Sequence, residues 1–500
     1  KKRLSGFVEY IGEMWVSTIH SMCTRILRND IYKLGYDSNF TIYDDTDKEK
    51  ALKRIIEELN LPADKLLKVI KANISNAKNE CLSPDEYRKV HSDLKFIEEI
   101  CDVYSEYENQ LGRSNSLDFD DLLYKTYILF RDFPEVADFY SEKFQYIHID
   151  EFQDTNTVQF AIVNRLSIKH GNIFVVGDDD QSIYGWRGAK IENILNFDDI
   201  YRGAKVYKLE RNYRSTKNIL ELANHIIANN TKRREKVLWT DNPDGGRIET
   251  YVGFDENEEA SFAAVTIKNL IARGNCSYKD FAVFMRVNAL SRAIEQEFLK
   301  YGIPYKVYGG FRFFERKEIK DILSYLKLVN NSFDDEAFFR SVSVPKRGIG
   351  DKTLSELKEF AYGKGLSVYD AIDYLEETTI SPSARKKLIN FKQLIQEFKE
   401  FSGRSTIIET LNNVLETTDF MEQFADKTDE NESRIMNISE LKNAAEQFMK
   451  DNGNNIPLSD FLNSVTLSSD TDDINSDDVV AVATIHAVKG LEFDTVFVVG

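Results

Sequence analysis

Between residues 87 and 111 the apolar positions Tyr87, Val90, Leu94, Ile97, Ile100, Tyr104, Tyr107 and Leu111 recur at spacings of three or four. That is the period of an amphipathic helix. It predicts helix over about 42–113, ending in one helix of many turns. Further along the chain the period changes. Phe144-Gln-Tyr-Ile-His-Ile-Asp150, Asn172-Ile-Phe-Val-Val-Gly177 and Lys205-Val-Tyr-Lys-Leu209 are short β-branched or aromatic runs separated by helical segments. Such alternation predicts a parallel sheet with crossover helices. Near the start, Val16-Ser-Thr18 predicts a short strand turning into a helix within 15–30.

A second alternating region follows. Arg247-Ile-Glu-Thr-Tyr-Val252, Phe281-Ala-Val-Phe284 and, much later, Val479-Val-Ala-Val-Ala-Thr484 read as strands, as does the run from Asp494 to Gly500. From about 309 to 470 the pattern is helical, punctuated at Val344-Pro-Lys-Arg-Gly-Ile-Gly350. Five aspartates and no basic residue fall between Asp470 and Asp478, which reads as a solvated linker. The expected architecture is α/β: two parallel-sheet domains, each interrupted by a mainly helical insertion.

Two blocks carry candidate chemistry. Asp150 and Glu151 follow a hydrophobic strand, and in open α/β sheets ligands bind beyond the carboxyl ends of strands. An aspartate there can hold Mg²⁺ while the glutamate orients or deprotonates a water. Acidic residues opening a helix are the simpler reading of the same pair. The second block, Val176 to Ala189, places Gln181, Tyr184, Trp186 and Arg187 in one glycine-flanked loop. Trp186 beside Arg187 makes a poor core and a good base-stacking platform. Leu209-Glu-Arg-Asn-Tyr213-Arg214 lies at the seam of the two α/β regions, where an arginine can reach a phosphate. The histidines His91, His148, His170 and His225 read as satisfied structural residues rather than ligands, and Phe311–Phe314 as packing.

These blocks, in this order, resemble motifs II, III and IV of superfamily 1A helicases of the UvrD/PcrA/Rep type. The resemblance runs end to end. Trp15-Val-Ser-Thr-Ile-His20 resembles motif Ib, Thr484-Ile-His-Ala-Val-Lys-Gly-Leu-Glu492 resembles motif V, and the segments at Leu117–Leu123 and Tyr308–Ile319 have family counterparts. It implies two RecA-like motor domains. The first spans 1–41 and 114–207 with its helical insertion at 42–113; the second spans 208–308 and 476–500 with its insertion at 309–475. It implies an ATP-dependent 3′→5′ DNA translocase and helicase of repair or replication, using ATP and Mg²⁺. Asp150 would coordinate the metal, Glu151 activate water, Gln181 contact the γ-phosphate and Arg214 stabilise the transition state. Tyr213 would stack on adenine, with Gly490 and Glu492 also at the nucleotide. Single-stranded DNA would meet Ser17, Thr18, His20, Phe119, Tyr184, Trp186, Arg187, Asn288 and His486. Gly348 and Gly350 resemble a turn that touches duplex DNA at a single-strand/double-strand junction; a plain helix–helix turn has the same pattern.

Composition changes this picture little. The net charge of −18 excludes whole-surface attraction to nucleic acid, leaving local clusters such as Lys232-Arg233-Arg234, Lys346-Arg347 and Arg312 with Arg316 and Lys317. Four scattered cysteines without a CxxC pair predict reduced thiols. With no apolar run of membrane length, the expectation is a cytoplasmic protein without a membrane partner, with repair or replication proteins as candidate partners. No GxxxxGK[ST] occurs; the family places that loop upstream of motif Ib and a further arginine motif after motif V. The expectation is a fragment cut at both ends and inactive alone. The alternatives are a helicase subunit of an AddA/RecB-type nuclease–helicase and a non-catalytic DNA-binding scaffold.

Overall fold

The computed structural model describes residues 6, 14–274, 276–308, 313–426, 428–467 and 478–500. Gly309–Arg312 of the Tyr308–Ile319 segment, most of the acidic 470–478 stretch and the opening residues lie outside them. The chain forms two compact units. The first comprises Lys1–Asp178, Tyr184–Ile194 and Lys317–Leu467; the second comprises Asp179–Ile183, Leu195–Arg316 and Ser468–Gly500.

In the first unit, helix α1 (Ile19–Asp30) leads to strand β1 (Thr41–Tyr43). Helices α2 (Asp45–Glu58), α3 (Ala63–Asn79), α4 (Pro84–Val90) and α5 (Ile97–Arg113) follow, then β2 (Ser116–Asp118). Strands β1 and β2 pair in parallel, Thr41 opposite Ser116 and Tyr43 opposite Asp118. The helical excursion therefore leaves and returns beside the same two-strand pair. Helices α6 (Phe119–Asp132) and α7 (Pro134–Lys143) precede β3 (Ile147–Ile149), α8 (Thr157–Ser167) and β4 (Ile173–Val175), and β3 pairs in parallel with β4. Local sequence sets the helix starts: Asp44, Ser83, Asp118 and Asn156 each form a reciprocal capping box with the residue three places on.

Two apolar cores result. Ile26, Leu27, Leu117, Leu122, Leu129 and Ile162 join α1, α6 and α8 around β2. Leu52, Ile55, Ile70, Ile74, Tyr104 and Tyr107 close the excursion on itself; each such side chain contributes about 1.5–3 kcal/mol on burial. Residues 317–467 are helical, as expected, and dock onto the β1–β2 pair by polar contacts. The buried Asn331 amide lies 3.0 Å from Thr41 Oγ1 and from the Ser114 and Asn115 carbonyls.

The second unit holds one parallel sheet in the order β6 (Tyr305–Tyr308), β7 (Val480–Thr484), β5 (Phe281–Met285), β8 (Thr495–Val499). Strands β5 and β7 are covered on both faces, which is why they read as unbroken apolar runs. Their core includes Ile267, Phe281, Val283, Ile294, Phe298, Val480 and Val482.

Several expectations are corrected. Val16–Thr18 is not a strand; Thr18 instead caps α1, its hydroxyl accepting from Ser21 N–H at 3.2 Å. The long helix through Leu94 is broken at His91–Phe96, with Phe96 in the left-handed region at φ +67°. Val90 and Leu94 are exposed there, so the apolar period joins two helices rather than one buried stripe. Runs 205–209 and 247–252 are not strands. Tyr207, Leu209 and Val252 are exposed, and β-propensity without a pairing neighbour gives no ladder. His148 lies exposed on β3 beside the Phe174 ring rather than inside the sheet, and His225 is also exposed.

Candidate functional site

Strand β3 delivers Asp150 and Glu151 to its carboxyl end. Glu151 takes the left-handed conformation, φ +52°, and its N–H donates to Asp150 Oδ1 at 2.9 Å. The chain then turns through Phe152–Asp154 and buries Gln153 completely. The Gln153 amide NH₂ donates to Glu151 Oε2 at 2.5 Å and lies 3.4 Å from Asp154 Oδ2. Its carbonyl oxygen accepts the Asp178 N–H at 2.9 Å. Gly177 has no room for a side chain, because a Cβ there would sit 2.5 Å from Gln153 Oε1 and 2.6 Å from Ile194 Cδ1. The end of β3 and the end of β4 are thus fitted together through one buried amide.

The Tyr184–Ala189 loop also belongs to the first unit. Trp186 is 66% exposed, and the Arg187 guanidinium lies 4.7 Å from its ring centroid and 5.7 Å from that of Tyr184. Gly188, at φ +85°, lets the loop turn back, and Lys190 N–H then donates to the Thr155 carbonyl at 2.9 Å. Elsewhere in this unit Ser17 and Thr18 are exposed at the start of α1. His20 packs 5.4 Å from Phe119, the first residue of α6. Burial lowers the His20 pKa, with Asp120 working in the opposite direction. Gly348 stands at φ +64° with its carbonyl accepting from Lys387 Nζ at 2.8 Å. Gly350 occupies the N-cap of the helix Asp351–Gly363 without a side-chain cap.

Beneath Phe119 lies a cluster of buried charges outside the sequence-predicted site. Lys78, fully buried, reaches Glu108 and Asp121 at 2.8 Å and Asp118 at 3.3 Å. Lys48 pairs with Asp118 at 2.9 Å and Asp120 at 2.8 Å, and Lys125 with Glu108 at 2.6 Å. Burial opposes ionisation of Asp118, but Lys48 and Lys78 hold its carboxyl far below the usual range. Burial, with Asp118 alongside, pushes Asp121 up to about 8.

The second unit carries the other expected residues. Arg214 Nε donates to Glu492 Oε2 at 2.5 Å, and Asn212 Oδ1 accepts the Arg214 and Ser215 N–H groups at 2.9 and 2.8 Å. Tyr213 is exposed, with the Arg211 guanidinium 4.7 Å from its ring centroid. Gly490 turns at φ +88°, and the preceding Lys489 donates to the Gln181 carbonyl at 2.8 Å. His486 follows β7 and lies within 3.2–3.3 Å of Arg286, while Asn288 opens the turn Asn288–Leu290 after β5.

The arginines of two of the basic clusters are engaged internally, while Lys232 and Lys346 are exposed. Arg233 grips Asp180 with two bonds at 2.7 and 2.8 Å, Lys236 pairs with Asp179 at 2.7 Å, and Arg234 pairs with Asp198. Arg347 donates to the Tyr325 hydroxyl at 2.7 Å and to the Ser341 carbonyl at 2.8 Å. Lys489, Arg233, Lys236 and the positioning of Gln153 were missed from sequence, because each acts on a residue distant along the chain or depends on how an amide is aimed.

Among the described residues no helix is long and apolar enough to cross a membrane, and no group of three or more His, Cys, Asp or Glu side chains is arranged to hold a metal. Residues 1–202 match the UvrD/REP helicase N-terminal domain and residues 207–500 the UvrD-like helicase C-terminal domain. The chain is 42% identical over 497 residues to the ATP-dependent DNA helicase PcrA of Bacillus subtilis (strain 168), an alignment covering 98% of this chain and 67% of that protein. It is 40% identical over 508 residues to PcrA of Staphylococcus aureus (strain Mu50), covering 100% of this chain and 69% of that one. It is 39% identical over 511 residues to PcrA of Staphylococcus epidermidis, with the same coverages. With both family models matched in sequence and the parallel-sheet architecture behind them, this chain belongs to the UvrD-like helicase family of enzymes.

Proposed function

We propose that this chain is the motor of an ATP-dependent DNA helicase that moves 3′→5′ on single-stranded DNA and opens duplex at single-strand/double-strand junctions, in repair or replication. The observation that carries the reading is the end of β3, where Asp150 and Glu151 sit side by side and a buried amide orients the Glu151 carboxylate. Asp150 is exposed and offers hard oxygen donors, which suits Mg²⁺, an ion commonly held by one or two carboxylates plus substrate phosphates. When bound, the ion neutralises charge on the phosphate oxygens.

Glu151 accepts a proton from the attacking water, and its fixed orientation aims that water. Gln181 contacts the γ-phosphate. Arg214 spreads the charge that develops in the transition state, with Glu492 holding Nε and leaving the outer guanidinium nitrogens to donate. Tyr213 stacks on adenine, and Gly490 and Glu492 face the sugar end of the nucleotide. Single-stranded DNA stacks on Trp186, Tyr184 and Phe119 and passes Ser17, Thr18, His20, Arg187, Asn288 and His486, while the Gly348–Gly350 turn meets duplex backbone. The test is ATP turnover by the full-length gene product with and without single-stranded DNA, and strand displacement from duplexes with 3′ or 5′ tails. Glu151→Gln should cut kcat by about 10²–10⁴, and Arg214→Ala by about 10³–10⁵. Retention of a tenth of normal kcat by either variant removes that residue from the mechanism, and preference for a 5′ tail reverses the polarity.

A further inference from the structure

The buried amide of Gln153 has opposite polarity at its two ends, and the surroundings match both. Its NH₂ faces the Glu151 carboxylate at 2.5 Å and its carbonyl oxygen faces the Asp178 N–H at 2.9 Å. The charged groups of these two loops are Asp150, Glu151, Asp154 and Asp178, followed by Asp179 and Asp180, which pair with Lys236 and Arg233. Asp150 is turned to the Glu151 N–H, and Asp154 lies 3.4 Å from the same NH₂. An amide turned the other way would set its oxygen against the carboxylates and its NH₂ against an N–H. Gly177 adds a second constraint, since any Cβ there would collide with Gln153 Oε1.

We propose that Gln153 is a positioning residue for ATP hydrolysis: it fixes one oxygen of Glu151 so that the other faces the attacking water. It does so from an anchor on the Asp178 N–H, at the start of the segment that carries Gln181. The inference rests on the reading of Glu151 as the base. Gln153 touches neither nucleotide nor water; it acts through Glu151. Binding of ATP does not need the carboxylate oriented, so the effect falls on kcat and spares KM.

The experiment uses the full-length gene product as wild type, Glu151→Gln, Gln153→Met and the double variant. Methionine keeps the volume and buries well but makes neither hydrogen bond. Gln153→Met should lower DNA-stimulated kcat about ten- to a hundredfold, the worth of one hydrogen bond to a charged group, with KM for ATP unchanged. In the double variant the loss should be no greater than in Glu151→Gln alone, because both changes disable one element. Gly177→Ala, which presses on the amide from the other side, should reproduce the kcat loss and stands in if Gln153→Met does not fold. Wild-type kcat in Gln153→Met overturns the proposal. So does a fall of kcat and thermal stability together with a rise of KM that simply adds to the Glu151→Gln loss, the mark of a packing role. If Glu151→Gln itself turns over normally, the base assignment fails first and this proposal with it; a dead Glu151→Gln beside a normal Gln153→Met removes Gln153 alone.

Discussion

Replacing Lys78 with methionine tests whether the buried charge cluster under Phe119 is balanced. Three ammonium groups (Lys48, Lys78, Lys125) meet four carboxylates (Glu108, Asp118, Asp120, Asp121), and one proton, held on Asp121 with its pKa raised to about 8, brings the sum to zero. Removing the fully buried Lys78 ammonium leaves one negative charge in excess. Asp118 still has Lys48 at 2.9 Å and Glu108 still has Lys125 at 2.6 Å, so the penalty is that of a single uncompensated buried charge, about 3–5 kcal/mol. The escape is a second proton. Protonating an ordinary carboxylate costs about 5 kcal/mol at pH 7.5 but about 2 kcal/mol at pH 5.5. The variant should therefore be destabilised by about 3–5 kcal/mol at pH 7.5 and by about 2 kcal/mol at pH 5.5, measured by guanidinium unfolding of the purified chain at both pH values. Adding Glu108→Gln should return part of the loss at pH 7.5 by restoring neutrality. A penalty below about 1 kcal/mol at both pH values, or further loss on adding Glu108→Gln, would refute the charge count.

Three further outcomes are expected. Asp121 has a folded pKa above its unfolded value, so its contribution to stability is full below about pH 4 and disappears as pH rises through about 8; in Asp121→Asn that decline between the two should flatten in thermal melts. Trp186→Ala should lose about 1–3 kcal/mol of base stacking, a roughly 5- to 150-fold weaker grip on a fluorescent oligonucleotide. Its ATPase without DNA should be intact, and unchanged DNA affinity would make Trp186 a packing residue. Arg233→Ala should reduce kcat by loosening the Asp180 side chain one residue before Gln181, since Lys236 at 3.1 Å holds it less firmly than the two-bond grip. Arg233→Lys should not rescue it, because a single ammonium cannot reproduce the two-bond grip; full rescue by lysine would show that charge alone suffices.

What could be read from the chain divides along physical lines. The runs Phe281–Phe284 and Val480–Thr484 were legible because strands covered on both faces must be apolar throughout. The carboxylates of β3 stood out because a strand end is where an α/β sheet binds ligands. Lys78 was hidden by its residue type: it continues the Leu66–Ile70–Ile74 stripe of α3 at four-residue spacing, but a lysine reads as surface, and its partners arrive from α5 and α6. Arg233 and Arg234 read as part of a local basic cluster, since nothing nearby in sequence shows that Asp180 and Asp198 neutralise them. The break at His91–Phe96 was masked by an apolar period that continues across it. Gln153 was visible only as a letter within a motif, its role lying in which way the amide points.

The parallel pairing of β1 with β2 anchors both ends of the 45–113 excursion on the same two-strand pair. By chain path alone, the excursion is a detachable part: a crossover of about a dozen residues from Tyr43 to Ser116 could replace it at small entropic cost. The electrostatics contradict the chain path. Lys48, Lys78 and Glu108 belong to the excursion, whereas Asp118, Asp121 and Lys125 belong to the body. Cutting it out would strand the buried carboxyl groups of Asp118 and Asp121, and Asp120 beside them, at the base of α6, under the aromatic proposed to meet DNA. Homologous excursions exchanged by shuffling should therefore be accepted only when they bring two lysines of matching reach, or when Asp118 and Asp121 are replaced together. A segment that topology makes portable is locked to its host by three charges.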